Sequence, residues 1–309
     1  MTSRDSFAKP PPPPADAPRV VAVIPAFNED RFIASVILKT RRFVDQVVVV
    51  DDGSSDETAW IAEQCGAVVI RQPKNLGKAA AVNVGLATAR ERGAAVVILI
   101  DADGQQNPND IPAMIAPIQA GKADIVVGSR FLGDKSQTPA WRIVGQQALT
   151  IATNVASGVP LTDSQSGFRA LSRRALEAFH FRTSGFSIES EMQFLIREHN
   201  FVAAEVPIIV NYDEAPKRNP FKHGLQVLNG IIQMVSQNRP LFFFGGIGGA
   251  ILLFGLLVGI RLVNQYNADP EPKLAVGTAL IAVAASIIGM LTVFTGIILH
   301  AIRAAIHDR

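Results

Sequence analysis

The sequence predicts an α/β domain on a mostly parallel sheet, followed by an amphipathic helix and a hairpin of two membrane-length helices. Three observations carry that prediction. From residue 20 to about residue 210, short runs rich in Val and Ile alternate with helix-length stretches. Several of those stretches end at a glycine. Beyond residue 240, two long segments carry no charge at all. Composition agrees: 309 residues with 18% charged and 48% hydrophobic side chains and a positive mean hydropathy of +0.24 imply a polar part and an oily part kept separate.

Residues 1–18 are polar and then proline-rich, with Pro10 to Pro14 consecutive. Such a run favours extended, solvated polyproline conformation and reads as a disordered leader. It has no apolar stretch after a basic start, so it does not read as a secretory signal.

The α/β domain is expected over residues 19–219. The runs 20–24, 47–50, 67–70, 95–100 and 125–127 have the composition of strands buried on both faces. Ser55 and Asp56 can cap a helix that stops at Gly66; a second begins near Lys78 and stops at Gly93; a third runs from about Asp110 to Gly121. Strands alternating with helices predict parallel pairing.

Residues 220–239 place Leu225, Leu228, Ile231, Ile232 and Val235 on one helical face beside Lys222 and Arg239. That pattern fits a basic helix lying on a membrane surface, and equally a helix packed on the domain. Residues 240–302 hold two expected spans, 241–260 and 274–299, each long enough to cross a hydrocarbon layer of about 30 Å. Residues 303–309 form a tail. Lys217, Arg218, Lys222 and Arg239 precede the first span, and Arg303 and Arg309 follow the second. The positive-inside rule therefore puts the domain and both termini in the cytoplasm of a two-span membrane protein. The pair Gly245 and Gly249 has the small-residue spacing that permits close helix packing, and so a homo-oligomer through the hairpin.

Several functions are excluded early. One cysteine, Cys65, rules out a disulfide framework, and five scattered histidines offer no metal-spaced cluster. With 29 basic against 27 acidic residues, there is no nucleic-acid footprint. The glycine fingerprints of nicotinamide-binding and P-loop domains are absent, as is the serine-hydrolase elbow.

Ligands of open parallel sheets bind beyond the carboxyl ends of the strands. There the chain carries Asp51 and Asp52 after the second run, and Asp101 and Asp103 after the fourth. Acidic residues at neighbouring strand ends repel one another unless a cation lies between them. Oxygen-only ligation suits Mg²⁺ or Mn²⁺ completed by substrate phosphates, and the amide of Gln105 can reach the same ion.

Six motifs now stand in order: Ile24-Pro25-Ala26-Phe27-Asn28-Glu29, Val50-Asp51-Asp52-Gly53-Ser54-Ser55-Asp56, Asn75-Leu76-Gly77-Lys78, Asp101-Ala102-Asp103-Gly104-Gln105, Gly128-Ser129-Arg130, and Asp163-Ser164-Gln165-Ser166-Gly167-Phe168-Arg169. Together, across residues 20–212, they resemble the family-2 glycosyltransferases of GT-A fold, in the polyprenyl-phosphate branch that includes dolichol-phosphate mannose synthase.

The resemblance implies a nucleotide-sugar donor and a polyprenyl-phosphate acceptor at a membrane. It implies Pro25, Phe27, Glu29, Asp51, Asp52 and Lys78 on the donor, and Asp101, Asp103 and Gln105 at the divalent ion. It implies Arg130 and Arg142 on the acceptor phosphate, with Asp101, Asp103, Arg130 and Arg142 as the catalytic set. Phe27 stands where a tyrosine is more usual, which keeps the ring and loses the hydroxyl. A phosphate acceptor is already anionic and needs no general base. Glu189 and Glu191 therefore read as first-turn helix charges, and as a candidate base only for a glycolipid hydroxyl acceptor. A processive polysaccharide synthase is the other alternative; it would need a Gln-x-x-Arg-Trp site and more helices than two.

Overall fold

In the computed structural model, described for residues 20–133, 140–181, 188–210, 232, 236, 240–268 and 275–307, the chain divides into two compact units, residues 1–229 and 230–309.

The first unit is a seven-stranded sheet with helices on both faces. Its strands are β1 (Val20–Ala26), β2 (Gln46–Asp51), β3 (Val68–Arg71), β4 (Val96–Leu99), β5 (Ile125–Ser129), β6 (Arg169–Ser172) and β7 (Ala203–Pro207). The helices are α1 (Ile33–Thr40), α2 (Thr58–Gln64), α3 (Lys78–Glu91), α4 (Ile111–Gln119), α5 (Ala140–Ser157), α6 (Arg173–Ala178) and α7 (Ile188–Glu198). Strand order is β3-β2-β1-β4-β6-β5-β7. The five apolar runs of the sequence are β1 to β5. Val21, Val23, Val48, Val50, Val97 and Leu99 pack on one face, and Ala22, Ile24, Val47, Val49, Val96 and Ile98 on the other. Burial on both faces is why these strands read as unbroken apolar runs. Each fully buried Val or Ile contributes about 1.5–3 kcal/mol relative to exposure, so the centre of the sheet carries much of the stability.

Gly66, Gly93 and Gly121 sit just past α2, α3 and α4 with φ near +70°, the left-handed ending that glycine allows. The start of α2 differs from the expected cap. Ser55 turns away to Asn28, and Asp56 alone receives the Thr58 N–H, at 3.0 Å.

Pairing is parallel except at β6, which runs antiparallel between β4 and β5. The alternation of strands and helices did not foretell this, and it has a structural consequence. Because β6 runs backwards, the long excursion after β5 leaves and re-enters the sheet at the same edge. That edge is where β1, β2 and β4 also end, so Arg130 and the 163–169 segment are returned to it.

The second unit, taken by itself, is a hairpin of α8 (Pro240–Ala268) and α9 (Val276–His307). Both helices are long and apolar enough to cross a membrane. Each outruns its expected span: α8 continues through Arg261 to Ala268, and α9 through Arg303 to His307. Side chains such as Leu253, Phe254, Leu257, Leu280 and Leu291 lie exposed along them, a larger apolar surface than monomeric soluble proteins ordinarily show. The helices meet along Gly248 and Gly255 on one side and Gly289 and Gly296 on the other, where a methyl group would strike the facing helix. Of the Gly245/Gly249 pair picked out by spacing, Gly245 borders this seam, its N 3.2 Å from where a Gly296 Cβ would stand, while nothing lies within 4 Å of a Gly249 Cβ. The amphipathic helix expected over 220–239 and the 1–18 leader lie outside the described residues, except that Ile232 and Ser236 are helical.

Candidate active site

The polar ends of β1, β2, β4 and β5 converge with the loop before β6. At the end of β1, Pro25 stands across from Val50 in the β1–β2 register, and Ala26 across from Asp51. Phe27 follows as an exposed ring, and Asn28 adopts φ +54° while holding Ser54 and Ser55. The Glu29 N–H donates to Thr58 Oγ1 at 2.7 Å. Asp51 and Asp52 are both buried. Asp51 Oδ1 accepts from the Ser54 N–H. Asp52 takes the N–H groups of Leu76 and Gly77 on its two oxygens, each at 2.8 Å. Asp52 thereby builds the loop that launches α3, whose first residue is Lys78.

A polar cleft of about 80 Å³ is lined by Asp101, Asp103, Gln105, Gln106, Arg130, Gln165, Ser166 and Gly167, with Ile208 and Val210. Asp101 is held from two directions. Gln106 clamps it, accepting from its N–H at 3.0 Å and donating to Oδ2 at 2.8 Å. Lys78 Nζ lies 2.7 Å from Oδ1 and also 2.8 Å from Glu189 Oε1. Gly167 is required here: a Cβ would stand 2.6 Å from Asp101 Oδ2 and 3.0 Å from Lys78 Nζ. Asp103 accepts from the Gln105 N–H. Burial, and then the charge of Asp101, push its carboxyl up to about 6.

Among the described residues, no three His, Cys, Asp or Glu side chains form a ready-made metal cage. The donor set still fits a hard cation. The charge of Asp101 adds to burial in disfavouring ionisation of Asp103, a strain that a divalent ion with substrate oxygens relieves. Gln105 lines the cleft as expected, but its neighbour Gln106 is the amide bonded to Asp101, a choice that spacing could not make.

Arg130 lines the same cleft and is fixed by a residue given no role in the sequence reading. Asp163 receives the Arg130 backbone N–H at 3.1 Å, Nε at 2.6 Å and Nη2 at 2.7 Å. The pair is buried, with Asp163 fully covered and Arg130 12% exposed. Behind it, Glu205 on β7 accepts from the N–H groups of Thr162 and Asp163 and from the Thr162 hydroxyl. Arg142 falls in α5, and its side chain lies outside the described residues.

Glu189 opens α7 and turns inward to Lys78. Burial opposes its charge, but Lys78 and then Arg169 outweigh that and hold its carboxyl below the usual range. A carboxylate so held is a poor proton acceptor, which speaks against a general base. Arg169 is 1% exposed. It donates to the Ser164 and Ser166 carbonyls, while its Nη1 has no hydrogen-bond partner among the described residues. Burial depresses its pKa, with Glu189 and Asp163 opposing.

A family model for glycosyl transferase family 2 matches residues 21–179. An uncharacterized protein of Methanocaldococcus jannaschii is 33% identical over 201 residues, covering 63% of this chain and 82% of its own. The UDP-N-acetylglucosamine–dolichyl-phosphate N-acetylglucosaminyltransferase of Methanococcus voltae is 32% identical over 218 residues, covering 63% and 86%. Among solved structures, glucosyl-3-phosphoglycerate synthase of Mycobacterium tuberculosis, in complex with Mn²⁺, UDP and glucosyl-3-phosphoglycerate, shares the fold. It has a TM-score of 0.53 and 22% identity, covering 71% of this chain and 80% of its own.

Proposed function

The chain belongs to glycosyl transferase family 2 and is a glycosyltransferase; from that premise we propose that it moves one sugar from a nucleotide-sugar to the phosphate of a membrane polyprenyl phosphate, inverting the anomeric centre. One observation carries the reading: a carboxylate pair suited to a cation and a clamped arginine suited to a phosphate line a single cleft, in a chain that ends in two membrane-length helices. The M. voltae relative is named for a dolichyl-phosphate acceptor, which supports the same acceptor class here.

Asp101 and Asp103, with Gln105 beside them, would hold Mg²⁺ or Mn²⁺ against the donor diphosphate. When bound, such an ion offsets the charge that builds on the leaving nucleotide. Pro25, Phe27, Glu29, Asp51 and Asp52 would shape the nucleoside side, where Phe27 offers an exposed ring for stacking. Lys78 would face the diphosphate.

Arg130, joined by Arg142, would bind the acceptor phosphate and align it. A phosphate oxygen forms the new bond to the anomeric carbon as the bond from that carbon to the donor's diphosphate oxygen breaks, and the nucleoside diphosphate carries away the electron pair. No proton has to be removed, which fits a Glu189 already committed to Lys78. In this reading the domain and both termini are cytoplasmic. The Gly245/Gly249 spacing allows close helix packing, and with nothing within 4 Å of a Gly249 Cβ that side of the hairpin would take a second copy.

The test is a transfer assay with the detergent-solubilised chain, polyprenyl phosphate and Mn²⁺, offering UDP-N-acetylglucosamine, UDP-glucose and GDP-mannose separately. A lipid-linked monosaccharide from one donor, abolished by EDTA, is expected. Nucleotide release with no glycolipid from any donor would refute the acceptor class.

A further inference from the structure

Both oxygens of Asp101 are occupied, one by Gln106 and one by Lys78. Each oxygen keeps a lone pair, but a divalent ion that takes Oδ1 meets an ammonium already seated there, and the two cations repel one another. The two partners are not equally held. Gln106 grips Asp101 twice, at the backbone N–H and at Oδ2, and its main chain is bridged to Val210. Lys78 is a single flexible ammonium, 41% exposed, with a second carboxylate already within hydrogen-bond distance. A cavity of about 10 Å³ lies against it, walled mostly by apolar side chains such as Val82, Leu99, Ile188 and Met192, so the ammonium stays on its carboxylates rather than entering that space. The ammonium already has a second partner, and letting go of Asp101 needs no long movement.

From this asymmetry we infer that Lys78 is a resident counter-cation of Asp101 which yields Oδ1 to the divalent ion, and that Glu189 is the positioning residue that receives it. The buried Arg169 behind Glu189 completes the arrangement. Without a cation in the cleft, Lys78 offsets the negative charge of Asp101. With one bound, the lysine moves wholly onto Glu189, which leaves its ammonium at the edge of the site where the donor's diphosphate is expected. The two ions then alternate on one carboxylate oxygen, and Glu189 keeps the exchange from stranding an unpaired lysine. This inference rests on reading Asp101 and Asp103 as the ligands of the ion.

The experiment is a Mn²⁺ titration of the full detergent-solubilised chain without nucleotide or lipid, followed by the electron paramagnetic resonance signal of free Mn²⁺. Lys78→Met should bind Mn²⁺ roughly three- to fivefold more tightly, the upper range for a half-exposed ion pair. Lys78→Gln should do the same, so one misfolded variant does not decide the matter. Glu189→Gln in the otherwise native chain should weaken binding. In the Lys78→Met background the same change should do nothing, because Glu189 acts only through the lysine. That non-additivity separates exchange from a general field, in which Glu189→Gln would weaken binding in both backgrounds. Additive effects, or unchanged affinity in both Lys78 variants while Asp103→Asn loses the ion, would overturn the exchange and leave the metal site standing. Failure of the native chain to bind Mn²⁺ at all would remove both.

Discussion

The two walls of the cleft are built from the same chemistry, a carboxylate facing a cation, yet they are built to opposite ends. On one wall, Lys78 is 41% exposed and divides itself between Asp101 and Glu189. On the other, Arg130 is 12% exposed and lies against an Asp163 that no solvent reaches, and Glu205 braces the loop from behind. In the first, two carboxylates hold one partly exposed ammonium between them. In the second, one covered carboxylate takes the Arg130 backbone N–H, Nε and Nη2, so separating the pair costs far more. The contrast teaches that ion pairs in one site differ by grip: an ammonium shared between two carboxylates against a guanidinium held from several directions by one.

Substitutions can break this comparison, and the largest effect is expected on the exchangeable wall. Asp103→Ala should lower sugar transfer by about a thousandfold or more, roughly 4 kcal/mol of transition-state stabilisation, with thermal unfolding little changed. On the fixed wall, Asp163→Ala should act on the fold itself. The loss is about 3–5 kcal/mol, read as a lowered denaturant midpoint. Equal unfolding midpoints for the two variants would erase the distinction. Glu205→Gln sharpens it: the same shape without the charge should cost about 1–2 kcal/mol, appearing as a several-fold higher KM for polyprenyl phosphate at unchanged donor KM. The smallest effect belongs to an ion pair in neither wall. Arg71→Ala removes the exposed bridge to Glu63 and should shift stability by less than about 0.5 kcal/mol.

The two walls were also unequally legible. β1, β2 and β4 are unbroken aliphatic runs, so their ends, and Asp51, Asp52, Asp101 and Asp103 upon them, could be located from pattern alone. β6 is Arg-Ala-Leu-Ser and β7 Ala-Ala-Glu-Val-Pro; neither has the apolar run or the alternation that marks a strand. With β6 unseen, its reversed direction was unseen too, and so was the return of Asp163 to the edge where Arg130 stands. Partnerships across long separations left no trace in spacing: Lys78 and Glu189 are 111 residues apart, and Thr162 and Glu205 are 43. The hairpin shows a related limit. Its two long apolar segments announced themselves, but the glycines that form its seam could be told from those that do not only once both helices were in place.

The central claim is that one wall serves the donor and its ion while the other serves the acceptor phosphate. The most direct measurement is steady-state transfer by Arg130→Lys with each substrate varied in turn. The account predicts a rise of about tenfold or more in the KM for polyprenyl phosphate, as a guanidinium oriented by its Nε and Nη2 bonds to Asp163 becomes an unoriented point charge, with the donor KM and Mn²⁺ dependence unchanged. A donor KM that rises as much as the acceptor KM would contradict it.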